Sequence, residues 1–308
     1  MKISRRQFVK AMAAMGAASM LAACGGSSGS GSSGGKKALT FQIWDVAQKE
    51  GMEAMCAAYT QQHPEVSIEV QVTSWNEYWT KLEAAATSNQ MPDIFWMHTN
   101  EILKYADNGM LADCSDIVEK DKFSEISLSN AMGSDGTLYA VPKDKDTVGL
   151  VYNKEMFDAA GVAYPDENWT WDDLVSASEK IYAATGKYGY MAYADDQLGY
   201  WNFVYQAGGY ILNEDKTKAG FTQPATEKAM KFYIGLQQND WCPDQTYFAE
   251  TAPGTAFFSE KGAMFLEGDW NILAELQNYP EMVGKWDVAV LPKCPDPESG
   301  DGRATISN

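Results

Sequence analysis

The stretch ALTFQIWDVAQKEGMEAMCAAYTQQHPEVSIEVQV (residues 38–72) decides the fold class. Its opening, ALTFQIWD, is a short apolar strand. In KEGMEAMCAAYTQQHP, Met52, Met55, Cys56 and Tyr59 recur at helical spacing, which predicts an amphipathic helix stopped near Pro64. The same spacing puts Cys56 on the apolar face as a buried thiol. VSIEVQV then alternates strictly, with Val66, Ile68, Val70 and Val72 on one face of a second strand. The pattern continues outward. NEYWTKLEAAATSN reads as a helix, DIFWM as a short buried strand, and NEILKYADNG as a helix with a glycine stop at Gly109. Strands alternating with helices in this order predict a parallel sheet of the α/β class.

In open α/β sheets, ligands sit beyond the carboxyl ends of the strands. The residues just past the three strands are Trp44 and Asp45, then Ser74 and Trp75, then His98, Thr99 and Asn100. These are aromatic rings and neutral or acidic hydrogen-bonding groups. No exit carries a glycine-rich phosphate loop or a lysine. A site built this way suits a neutral polyol better than a phosphate or a nucleotide. Each tryptophan can equally serve as core or rim packing; the coincidence at three exits favours the ligand.

A second unit begins in the middle of the chain. Two extended runs are expected at residues 138–141 and 148–152, around a charged turn and before a helix. TWDDLVSASEKIYAATG is a helix with Thr170 as N-cap and Asp172 and Asp173 in its first turn. QPATEKAMKFYIGLQQND is another. AFFSEKGAMFLEGDW gives a helix end, a strand and a turn, and KWDVAVLP a further strand.

The N-terminus carries a different kind of message. MKISRRQFVK holds Lys2, Arg5, Arg6 and Lys10 and no acid, and a small apolar run follows: an export signal. The run is shorter than the roughly 20 apolar residues that a membrane-spanning helix needs. LAAC resembles a bacterial lipobox, which implies cleavage before Cys24 and lipid, including palmitate, on the mature protein. The glycine and serine run after Cys24 offers nothing to a packed core and reads as a flexible tether. SRRQFVK fits either a twin-arginine signal or the basic region of the general secretion route. The formal charge of −18 repels nucleic acid and anionic lipid headgroups.

Candidate chemistry is sparse. Beyond Cys24 the cysteines are Cys56, Cys114, Cys242 and Cys294, with no zinc spacing, and whether Cys242 and Cys294 pair is left open. The two histidines, His63 and His98, have no nucleophile context beside them. His63 reads as an exposed helix end; His98 stands at a strand exit within reach of a ligand or at its rim. The GxGxxG and GxSxG patterns fall inside the tether, without the strand and helix their mechanisms require. Asp45 and Asp146 are the pair a glycosidase reading would choose.

Taken together, FQIWD, PDIFWM, YNKEMFDAAG, NWTWDDL and the GAMFLEGDW turn resemble the sugar-type extracellular solute-binding proteins of ABC importers, the family of the maltose and multiple-sugar binding proteins. The resemblance implies a two-lobe periplasmic-binding-protein-like fold (type II) of the α/β class. Its lobes are joined by crossover strands, and the ligand lies in the cleft between them. It implies binding without catalysis, no cofactor and no metal. It implies a sugar or oligosaccharide ligand, a monomer, a lipid anchor outside the membrane and docking to the transmembrane subunits of an ABC permease. Carried onto this chain, Trp44, Asp45, Asn100, Asp146, Trp201 and the Gly268-Asp269-Trp270 turn fall where the family contacts sugar, with Trp75 and Tyr78 less firmly placed. Trp201 and Trp270 would stack on pyranose rings, and Asp45, Asn100 and Asp146 would bond hydroxyls. The expected organisation is a signal at 1–23, lipidated Cys24 and tether over 24–38, a first lobe over 39–143 and a second over 144–308. Family members continue past the position where this chain ends. The first lobe is therefore expected to lack its returning segment and the second its closing helices. The rivals are an anchored glycoside hydrolase, or the same fold holding a polyamine or metal. Converging carboxylates would favour the polyamine, whereas tryptophans with mixed polar groups favour a sugar.

Overall fold

A computed structural model describes residues 36–213 and 217–306. The expected signal, Cys24 and most of the tether lie outside the described residues. Two sheets organise the chain. The first has the order β2-β1-β3, with β1 (Lys37–Ile43), β2 (Val66–Val72) and β3 (Ile94–Phe95) all parallel. Helices α1 (Lys49–Gln62), α2 (Trp75–Thr87) and α3 (Ile102–Ala106) follow its three strands. This is the alternation the sequence predicts. β1 begins at Lys37, inside the expected tether, because the Lys37 N–H donates to the Glu65 carbonyl at 2.7 Å. β3 is held by a staple rather than by length. The Asp93 carboxylate accepts from the backbone and hydroxyl of Thr40 at 2.9 and 3.0 Å, and the Thr40 hydroxyl accepts in turn from the Asp93 N–H.

The second sheet has the order β5-β6-β4-β7, with β4 (Val148–Asn153), β5 (Tyr188–Tyr190), β6 (Gly262–Gly268) and β7 (Trp286–Ala289). β4 runs antiparallel to β6 and β7, and β5 parallel to β6. Every residue of β6 is buried, as a central strand covered on both faces requires. Helix α4 (Trp171–Thr185) opens on a full capping box. The Thr170 hydroxyl accepts from the Asp173 N–H, and the Asp173 carboxylate accepts from the Thr170 N–H. It buries Trp171, Leu174, Ala177 and Ile181, which lie about one helical turn apart. Helix α5 (Pro224–Leu236) packs beside it, and α6 (Asp269–Asn278) leaves the end of β6.

Three expectations change, and the question left open for Cys242 and Cys294 closes. No residue of α1 is fully buried; Met55 and Tyr59 face outward, and Cys56 is only half-buried. The first sheet ends at β2, so α1 has only one edge to cover and keeps its outer half in solvent. Residues 138–141 form no strand: Leu138 makes an isolated bridge to Met132, and the chain then passes to β4. The turn expected after Gly268 is the first turn of α6. Cys242 and Cys294 are both buried free thiols.

Candidate functional site

The carboxyl ends of β1 and β3 open onto a cluster of aromatic rings. The Trp44 ring lies 5.0 Å from Trp96, 5.2 Å from Trp75 and 5.2 Å from Tyr78. These are edge-on contacts, the arrangement favoured by the ring quadrupole. Tyr78 is fully buried in α2, and its hydroxyl donates to the Trp96 carbonyl at 2.8 Å. That bond fixes the end of β3 beneath Trp44. Trp75, at the first position of α2, is the open member of the cluster, with 41% of its surface exposed.

Asp45 closes a tight turn at the end of β1. One carboxylate oxygen accepts from the Ala47 N–H at 2.8 Å and the other from the Gln48 amide at 3.0 Å. Gln48 in turn accepts from the Lys143 ammonium at 3.0 Å, which also pairs with Asp144 and stands 4.2 Å over the Trp96 ring.

Facing these groups are three pieces of the second lobe. The first is the entry to β4, where the Thr147 N–H donates to the Asp269 carboxylate at 3.0 Å and the Asp269 N–H donates back to the Thr147 carbonyl at 3.1 Å. This reciprocal pair locks the segment carrying Asp146 to the start of α6, which carries Trp270. The second is α6 itself. A Cβ on Gly268 would stand 2.3 Å from the Trp270 indole, so the glycine makes room for that ring. The third is a wide turn at Asp196–Tyr200, capped by Asp195, whose carboxylate accepts from the Leu198 N–H at 2.7 Å. Gly199 is required there because a Cβ would meet the Tyr193 carbonyl oxygen at 2.7 Å. The turn delivers Gln197 against His98 of the first lobe, 3.2 Å between side-chain nitrogens. The Asn100 N–H donates to His98 Nδ1 at 3.2 Å, so the ring proton sits on Nε2 and bonds to Gln197 when that amide turns its oxygen to the ring. Burial holds the His98 pKa below the usual imidazole value, against the raising effect of Asp196, and favours this neutral ring.

Between the two faces lies a cavity of about 380 Å³, within the size range of small-molecule sites, about 300–1,000 Å³. Trp44, Asp45, Trp75, Asp146 and Trp270 stand on its wall. Asn100 is exposed beside it and touches it only through His98. Gly268 and Asp269 act behind Trp270. Trp201 packs onto the large core of the second lobe, with its indole nitrogen buried, and is not on the cavity wall. Trp96, Gln48, Lys143, Asp144, Asp195, Gln197 and Asn271 also line it. For Lys143, Asp144 and Asn271 the signal was adjacency to residues already singled out. Asp195 and Gln197 belong to a turn with no periodicity to announce it.

Carboxylates crowd this wall. Burial, then the charges of Asp144, Asp269 and Asp45, push the Asp146 carboxyl up to about 6, against the pull of Lys143. Burial also raises Asp195. Beneath α6, burial pushes Glu267 up to about 7, although the Asn271 amide and the Gly268 N–H both donate to it at 2.8 Å. Among the described residues no group of three histidine, cysteine or acidic side chains could hold a metal ion.

Residues 44–307 match the family described as bacterial extracellular solute-binding protein. The chain is similar to the lactose-binding protein of Rhizobium radiobacter, 26% identical over 83% of this chain and 61% of that protein. It is also similar to the diacetylchitobiose binding protein DasA of Streptomyces coelicolor, 27% identical over 85% of this chain and 64% of that one. Among solved structures it resembles an ABC substrate-binding protein of Listeria monocytogenes in complex with cycloalternan: 26% identity, TM-score 0.74, covering 85% of this chain and 68% of that one. The chain thus spans about two thirds of the length of such relatives. These matches bear out the two-lobe α/β fold. They are to binding proteins, not enzymes, which goes against the reading of Asp45 and Asp146 as a glycosidase pair.

Proposed function

This chain belongs to the bacterial extracellular solute-binding protein family, and from that premise we propose that it is the capture component of a sugar importer. It works outside the cell membrane, held there by lipid on Cys24 and the glycine-serine tether. It takes a sugar or oligosaccharide into the cavity and passes it to the transmembrane subunits of an ABC permease. The lobes are assigned to residues 39–143 and 144–308, the second including the start of a second crossover. The observation that carries this reading is the pairing across the cavity. Indole rings of Trp44 and Trp75 face Trp270, and Asp45 faces Asp146. A pyranose has an apolar face and a polar rim, and it needs both kinds of contact at once. Binding groups divided between two lobes give a solute more contacts when the lobes close. Its differential affinity then drives the hinge.

The test is a thermal-shift screen of the chain against a carbohydrate panel, followed by calorimetry with the best ligand. A ligand at a hundred times its Kd should stabilise the fold by about 2.7 kcal/mol. A panel that leaves the melting temperature unmoved would defeat the sugar reading. For the anchor, Cys24→Ala should release the protein into the medium or leave it unprocessed; unchanged membrane retention at mature size would defeat that part alone.

A further inference from the structure

The hydrogen-bonding groups around the cavity divide unevenly, and the division bears on which solute fits, given the sugar-binding reading above. The ammonium and amide donors already serve partners within the protein, and the buried Trp96 indole N–H is a donor on this wall without one. The Lys143 ammonium serves Gln48 and Asp144. The Gln48 amide serves Asp45. One N–H of the Asn271 amide serves Glu267, which leaves its second N–H and its carbonyl oxygen. His98 Nε2 meets Gln197. The acceptors are in excess. Four carboxylates, Asp45, Asp144, Asp146 and Asp195, line the cavity with a single ammonium. An ionised carboxylate has room for about four hydrogen bonds, so the excess persists whatever bonds each already makes within the protein.

A neutral hydroxyl donates one bond and leaves the negative charge as it was. A protonated amine brings three donors, no acceptor and a compensating charge. The protein itself already sets one ammonium over an indole here, Lys143 above Trp96. A linear polyamine would satisfy the charge but has no flat face for Trp75 and Trp270. We propose that the cavity takes an amino sugar in its protonated form, a glucosamine-type unit with its ring against the tryptophans and its ammonium among Asp45, Asp144 and Asp146. Burial and then the neighbouring carboxylates push Asp146 up to about 6; an ammonium beside it offsets those charges, so the bound solute favours the ionised carboxyl.

Calorimetry on the chain with three dimers of one linkage separates the possibilities: the fully deacetylated β-1,4 glucosamine dimer, its N,N′-diacetyl form, and cellobiose. The charged dimer should bind about tenfold or more tighter than either neutral one at low salt, the gap between a charged and a neutral hydrogen bond. The advantage should shrink as salt rises. At pH 6 its binding should release protons, so that the measured heat follows the buffer's ionisation enthalpy, while the neutral dimers show no such dependence. Asp146→Asn and Asp195→Asn should each narrow the charged-to-neutral ratio. Because the ratio is taken within one variant, a shared loss of folded protein cancels. Equal or tighter binding of a neutral dimer overturns the amino-sugar inference and leaves the sugar reading standing. No heat and no change in tryptophan fluorescence with any carbohydrate overturns both.

Discussion

The two lobes bring opposite resources to the cavity. The second lobe is built around a large core in which β4, β6, α4 and α5 contribute Leu150, Leu174, Ile181, Tyr233 and Leu266 to one packed cluster, with a second cluster around Val151, Phe257 and Phe265. The first lobe has three small clusters instead, one around Ile43, Val70 and Trp96, one around Tyr78, Leu82 and Tyr105, and one around Val118, Ala131 and Leu138. Trp44 packs against two of them. In the first lobe the aromatic groups that face the cavity are therefore also structural. In the second lobe the cavity groups Leu198 and Trp270 pack on the margin of a core held together by many other residues. Solute binding should accordingly stiffen the first lobe more than the second.

Core deletion breaks this comparison most directly. Leu174→Ala, at a fully buried position inside the large cluster, should cost about 4 kcal/mol, and Leu82→Ala in the first lobe nearer 2 kcal/mol, both read from urea denaturation. Equal costs would mean that the two cores are equally consolidated. The next largest effect is on binding. Trp270→Ala should weaken affinity for the best sugar by roughly 1–3 kcal/mol, about ten- to a hundredfold. Trp75→Ala should weaken it less, because much of that ring is already in solvent. Asp45→Asn and Asp146→Asn should each weaken it too. Tight binding by all of these variants would place the site elsewhere.

A smaller effect separates the lobes by pH. Glu267 titrates near 7 in the folded protein, above its ordinary value of 4.5, so the native state holds a proton that the unfolded chain has lost. The stability this contributes is complete at low pH and is lost as pH rises through about 7. Asp146, near 6, acts in the same direction. The empty protein should melt higher at pH 5.5 than at pH 8. Glu267→Gln keeps an acceptor for Asn271 and should gain on the order of 1–2 kcal/mol at pH 8 and clearly less at pH 5.5, the gain vanishing only below about pH 4.5, by calorimetric melting. A gain of the same size at both pH values would show that the carboxyl's charge is not the cause. The smallest change lies on the outer face of α1. Met55→Gln should leave stability within about 0.5 kcal/mol, since 65% of that side chain is exposed; a larger loss would reveal a cover on α1.

The contrast between lobes also sets what could be read in advance. β1, α1 and β2 were legible because period-two and period-3.6 patterns sit side by side over residues 38–72. The spacing of Cys56 identified a helix but not the depth of its burial, which depends on how many strands lie beneath it. The wall formed by Asp45, Asp146 and Trp270 could be anticipated, because strand ends and a glycine beside a tryptophan leave local marks. The turn bringing Gln197 to His98 could not. Its shape is fixed by contacts to Tyr193 and Asp195, not by a repeat in its own residues. Trp201 shows the reverse failure: an aromatic in a promising context whose neighbours in space belong to a core.

The reciprocal bonds between Thr147 and Asp269 have a mechanical consequence. They weld the incoming segment to the start of α6, just where Val148 pairs with Gly268 in the sheet. Torque passing between the lobes through this segment cannot be absorbed beyond that weld without parting two backbone bonds and the ladder behind them. The pivot must therefore lie upstream of Thr147. Trp270 then travels as one lever arm with the second lobe, and its position relative to β4 stays constant through the swing. The angle of closure is set by the few residues before the weld, and because Lys143, Asp144 and Asp146 among them also line the cavity, a change there alters the stroke and the ligand contacts together.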